Sequence, residues 1–177
     1  MGHKKTKKIV YLALLSALAI ILHTVDHYLS SPLPLGVKLG IANIVALLVV
    51  DIYGTKEMFV VNFFRVIISG LLTGTLMHYT FLMSCGGVFL SSVVLALLKR
   101  YTKLPLVSVS IIAAICHNIG QMFVISFVIS SAALMPYIFV MLAASIPTGI
   151  LTGLTAIEVL NGTYGKTTSN TIFRHDA

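Results

Sequence analysis

The residues able to do chemistry in this chain are a few polar side chains set inside long apolar runs. Asn62 and Arg65 stand three apart in one run and share a helical face, with Ser69 four residues further on. His117, Asn118 and Gln121 occupy another, with His117 and Gln121 four apart and Asn118 and Gln121 three apart. Asn43 lies in a third. Groups of this kind in an apolar medium are costly unless they are paired or face water or a ligand. Arg65 has two readings: it binds an anionic ligand group, or its guanidinium satisfies carbonyls and Asn side chains between helices. His117, Asn118 and Gln121 likewise either line a ligand cavity or form an interhelical hydrogen-bond network.

A separate constellation is His23, Asp26 and His27, which fall on one helical face. Two imidazoles at i and i+4 with a carboxylate make a candidate metal site. The same residue types are also what a membrane interface tolerates, and no metal is assigned. Catalytic chemistry has little material to work with. The five acidic residues, Asp26, Asp51, Glu57, Glu158 and Asp176, include no pair spaced to hold a magnesium-diphosphate cluster. No Gly-x-Ser-x-Gly elbow and no Walker motif occurs. The expectation is a protein that is not an enzyme and carries no cofactor. Cys85 and Cys116 both lie in apolar stretches without CxxC spacing and read as small core residues.

The elements that position these groups are set by composition. Of 177 residues, 58% are hydrophobic and 10% charged, and the mean hydropathy of +1.01 excludes a water-soluble globule. Six apolar segments run from Ile9 to Tyr28, Leu35 to Tyr53, Glu57 to Leu76, Thr80 to Leu98, Leu104 to Ile129, and Leu134 to Leu160. At about 20 residues per spanning helix, six spans take about 120 residues and leave room for termini and short loops only. Proline ends the first connection at Ser30-Ser31-Pro32-Leu33-Pro34, and Gly54 with flanking charges ends the second. The prediction is an all-α integral membrane protein with six transmembrane helices in a compact bundle. Its divisions are a basic N-terminus at 1–8, a single transmembrane domain at 9–160 and a tail at 161–177.

The net charge of +7 does not point to nucleic acid, because no stacking platform interleaves the basic residues. Lys4, Lys5, Lys7 and Lys8 precede the first segment, and Lys56, Lys99, Arg100, Lys103 and Lys166 fall on the same side after an even number of crossings. The positive-inside pattern therefore predicts that both termini are cytoplasmic, with Lys38 left near the outside. The segment from His23 to Val37 then lies outside, either as a cap over the outer mouth or as a short interfacial loop. At about 1.5 Å per residue, Arg65 stands about 12 Å above the inner boundary and His117 to Gln121 about 18 to 24 Å above it. A cavity loaded from outside would draw on His117, Asn118 and Gln121, on Ser84 to Gly87 as small residues, and on Tyr79 and Tyr137 at its mouth. Gly36 with Gly40, Gly70 with Gly74, Gly149 with Gly153, and Ala13 with Ala17 are small-xxx-small pairs that let helix backbones approach. The likeness of Gly70-Leu71-Leu72-Thr73-Gly74 to Gly149-Ile150-Leu151-Thr152-Gly153 would suit a three-plus-three inverted repeat.

Leu39-Gly40-Ile41-Ala42-Asn43-Ile44-Val45-Ala46-Leu47, Asn62-Phe63-Phe64-Arg65-Val66, Gly70 to Thr75 and Cys116-His117-Asn118-Ile119-Gly120-Gln121 together resemble the bacterial Gx transporter family, often labelled heptaprenyl diphosphate synthase component I. That family is similar to the substrate-binding S components of energy-coupling factor (ECF) transporters. The resemblance implies a multi-pass protein of the bacterial cell membrane that captures a small vitamin-like, flavin-related or quinone-related molecule. It also implies that the Ala13 and Ala17 face meets a transmembrane coupling subunit, with two ATPase subunits supplying energy. The alternative is a membrane accessory subunit in isoprenoid or quinone biosynthesis.

Overall fold

The computed structural model describes residues 2–30, 40–129 and 135–164. Six helices follow one another: α1 Gly2–Ser30, α2 Asn43–Ile52, α3 Thr55–Leu72, α4 Tyr79–Tyr101, α5 Leu106–Ile129 and α6 Met135–Tyr164. Four of them, α1, α4, α5 and α6, contain stretches long and apolar enough to cross a membrane. This marks the chain as a multi-pass membrane protein.

The second segment departs from expectation. Within the described residues only Asn43–Ile52 is helical, ten residues in length. At 1.5 Å per residue that is about half the hydrocarbon thickness, so α2 cannot cross alone. Its side chains explain its place: Val45 to Val50 are buried in unbroken succession, and a helix apolar all round belongs inside a bundle. α3 carries Lys56, Glu57 and the buried Arg65 in eighteen residues and is not among the long apolar helices. α1 also differs, since it takes in the basic residues from Lys4 and runs on through His23 to Ser30. The first half of the expected outer cap is therefore helix, and residues 31–37 lie outside the described residues.

Two apolar clusters fill the interior. The larger gathers Ala19, Val45 to Val50, Met58, Val61, Leu95, Val109 and Ala156, and the smaller joins Met83, Met122, Ile125 and Met141. One end of the bundle is marked by charge. Lys8 pairs with Glu57 across α1 and α3, and the Lys99 ammonium donates to the carbonyls of Val50 and Asp51 at the end of α2. The last carbonyls of a helix have no donor in the next turn, and here a lysine from α4 supplies one.

Glycine sets the helix spacing, though not at all the expected pairs. Gly149 and Gly153 do lie against backbone, since an added Cβ would fall 2.6 Å from Cα of Ile111 and 2.9 Å from Cα of Val107 on α5. Gly70 instead faces the Phe81 ring, and Gly74, with φ of +67°, sits in the turn after α3. The likeness between the two glycine segments is thus a likeness of letters: one ends a helix and the other packs mid-helix. Gly40 has φ of +70° in the turn before α2, and Gly36 lies outside the described residues. Among the described residues α4 and α5 also approach closely, at Gly86, Gly87 and Gly120.

Candidate functional site

α5 carries three buried polar side chains within five residues, His117, Asn118 and Gln121. Asn118 is 5% exposed and donates from Nδ2 to the Met141 carbonyl at 2.9 Å and to Ser145 Oγ at 2.7 Å. Ser145 in turn donates to the Met141 carbonyl. Asn118 is therefore a tie between α5 and α6, placed one turn before Pro147, where α6 lacks an amide donor.

His117 and Gln121 face the other neighbour. A Cβ at Gly87 would lie 2.7 Å from Cγ of Gln121 and 3.0 Å from Cε1 of His117, so α4 presents bare backbone to these two side chains. Gln121 is fully buried, and neither its Oε1 nor its Nε2 has a hydrogen-bond partner among the described residues. Leaving a buried donor and a buried acceptor unmet costs on the order of 1 to 3 kcal/mol each. A purely structural glutamine in an apolar interior would be replaced by Leu or Met at a gain.

Arg65 is arranged differently. It is 1% exposed, and its Nη1 donates at 2.8 Å to the carbonyl of Ala42, in the turn that leads into α2. The Asp26 carboxylate of α1, itself 3% exposed, acts on the Arg65 charge. Asp26 accepts from the Gly40 amide at 3.1 Å and from Ser30 Oγ at 3.4 Å. A buried cation and a buried anion thus grip the same short turn, Gly40 to Ala42, from two helices. One helical turn from Arg65, Asn62 donates to Ser92 Oγ at 2.7 Å and joins α3 to α4, while its Oδ1 has no partner among the described residues.

The remaining expected site residues do not converge. Ser84 donates to the Thr80 carbonyl and lines a small polar pocket with His23, His27, Ser69, Thr73, Thr75 and Thr80, between α1, α3 and the start of α4. Tyr79 opens α4, 39% exposed, with its ring 4.1 Å from that of His78. The side chain of Tyr137 lies outside the described residues. Thus the structure brings His117, Gln121 and Gly87 together, turns Asn118 to α6 and places Arg65 and Ser84 elsewhere. No group of three or more His, Cys, Asp or Glu gathers in metal-holding geometry among the described residues, so the His23, Asp26 and His27 face does not converge on an ion.

Two lateral grooves complete the surface. One, of about 520 Å³, runs between α1 and α3 and includes Ala13 and Ala17, both exposed, with Ser16, Val60 and Phe64. The other, of about 720 Å³, is almost wholly apolar and lies between α3 and α4, with Phe59, Phe63, Phe64, Phe81 and Phe89 in its walls. Sequence reasoning missed the Asp26 and Arg65 grip and the Gly86 and Gly120 crossing. The available signal was a lone carboxylate and a lone guanidinium in apolar surroundings, and glycines facing each other in adjacent segments.

Compared with known proteins, residues 15–159 match the family described as heptaprenyl diphosphate synthase component I. Neither the curated proteins nor the solved structures contain a match.

Proposed function

The chain belongs to the heptaprenyl diphosphate synthase component I family, and from that premise we propose that it is a substrate-binding membrane subunit of the S component type. It captures a small organic molecule, vitamin-like or related to flavins or quinones, from outside the cell. An ECF transmembrane coupling subunit and two ATPase subunits then drive its uptake. The observation that carries this reading is Gln121, a fully buried carboxamide with neither polar atom partnered among the described residues, seated beside His117 over Gly87. Both termini lie in the cytoplasm in this arrangement, in keeping with the basic residues gathered at one end of the bundle.

The exposed Ala13 and Ala17, flanked by a groove against α3, suit close approach by a helix of another subunit. The family's description, a component I, implies a companion subunit. It also supports a second reading, an accessory subunit of a prenyl synthase, and the apolar groove between α3 and α4 favours that one.

Native mass spectrometry of the purified full-length chain separates the two. A retained small polar molecule is expected. Retention of nothing, together with co-purification of a prenyl synthase, would transfer the conclusion to the accessory reading. A second expected result concerns coupling: Ala13→Phe with Ala17→Phe lowers cellular uptake of the retained molecule at least about tenfold while the isolated subunit retains it as before, because a bulky side chain blocks helix approach without touching α5. Undiminished uptake would remove the coupling role of this face.

A further inference from the structure

We propose that Gln121 reads the identity of the ligand, and that the ligand presents to it a coplanar N–H and C=O, the cis-amide edge of a heterocyclic lactam or imide. The proposal rests on the reading of the chain as a substrate-capture subunit and adds the chemical class of what is captured.

The carboxamide is singled out by its neighbours. Asn118 and Ser145 are satisfied between α5 and α6, and Ser84 and Ser91 donate back to carbonyls of their own helix. Asn62 and Arg65 each keep one donor in a hydrogen bond. Gln121 alone among these has both its donor and its acceptor unmet, at zero exposure. The absence of a Cβ at Gly87 is what admits its stem, and that backbone also limits where the side chain can lie.

A primary carboxamide offers an acceptor and a donor side by side in one plane. A carboxylate would set negative oxygen against Oε1. A hydrocarbon would leave both groups unpaired, and a lone hydroxyl would answer one of them. A cis-amide edge answers both at once, its N–H donating to Oε1 and its C=O accepting from Nε2. A site with this pairing rejects analogues that lack it, because the protein's own buried groups are then stranded.

The test uses the purified full-length chain in detergent, with 2-quinolinone and quinazoline-2,4-dione as probes, each beside its N-methylated counterpart. The expected result is that the parent compounds raise the melting temperature and that the N-methylated ones need roughly ten- to a hundredfold higher concentration for the same shift. In Gln121→Leu the ligand-free melting temperature rises, because the unmet amide is gone, and the difference between parent and N-methylated probes disappears. Equal shifts from parent and N-methylated probes, or no shift from either, overturns the proposal. So does a fall in the ligand-free melting temperature of Gln121→Leu with no discrimination between probes, which is what a buried water on Gln121 would give. Should the variant not fold, the probe comparison on the wild-type chain decides alone. Native mass spectrometry keeps the two levels apart. A retained molecule without an amide edge overturns the assignment to Gln121 and leaves substrate capture standing, whereas nothing retained and no probe response removes both.

Discussion

Arg65→Leu is expected to lower the stability of the folded bundle by about 1 to 3 kcal/mol, the size of loss seen when a buried hydrogen-bonding group is left without its partner. The argument runs through the turn from Gly40 to Ala42. Arg65 holds the Ala42 carbonyl and Asp26 holds the Gly40 amide, and both side chains are almost completely buried. Leucine fills the space but releases that carbonyl and removes the positive charge that acts together with the buried Asp26 carboxylate. Arg65→Lys keeps the charge and loses the planar fork, so an intermediate loss is expected. Asp26→Asn added to Arg65→Leu removes the remaining charge and restores part of the stability. The double-mutant cycle should give a coupling of about 0.5 to 3 kcal/mol. Equilibrium unfolding of the four proteins in detergent measures it. If Arg65→Leu unfolds within about 1 kcal/mol of wild type and loses only its retained small molecule, the guanidinium is a ligand contact instead.

That pair shows how the sequence divides into what can and cannot be read. A lone arginine and a lone aspartate in apolar runs announce that each must be answered, but the two are 39 positions apart and nothing local says that both hold the turn from Gly40 to Ala42. The long helices were legible because 20 apolar residues have few alternatives once lipid is the solvent, and α4, α5 and α6 begin and end within a few residues of expectation. α2 is a different case. Residues 35 to 53 read as a span by hydropathy alone, whereas, within the described residues, 40–42 form a turn, with the positive φ of Gly40 and the grip on Ala42, and the helix starts at Asn43.

The site divides along the same line. Spacing alone put His117 and Gln121 on one face, and they do share Gly87. Asn118, three residues from Gln121, has a spacing that also suits one helical face yet turns to Met141 and Ser145, because α5 lies between α4 and α6 and successive polar residues point to different neighbours. Ser84 was grouped with Gly87 by closeness in sequence. Ser84 instead lines the pocket toward α1 and α3, with His23 and His27.

Gly120→Ala tests the contact on which the seat of Gln121 depends. The added Cβ would fall 2.5 Å from the Gly86 carbonyl oxygen, 2.9 Å from the Gly86 carbonyl carbon and 3.0 Å from Cα of Gly87. All three are backbone atoms, so no rotamer change relieves the clash and α4 and α5 must move apart. Overpacking of this kind costs about 1 to 3 kcal/mol. The comparison is Gly162→Ala in α6, where nothing lies within 4 Å of the new methyl group and the substitution should stabilise the helix by about 0.5 to 1 kcal/mol. The two alanines are therefore expected to shift the melting temperature in opposite directions, despite being the same chemical change. Separation of α4 from α5 also unseats Gln121 and His117 from Gly87, so Gly120→Ala should weaken retention of the small molecule as well, with Gly162→Ala leaving it intact. Thermal unfolding and native mass spectrometry on the same samples read both effects. A Gly120→Ala protein as stable as wild type would mean that the two helices are held apart by their side chains, and the backbone cradle under Gln121 would go with it.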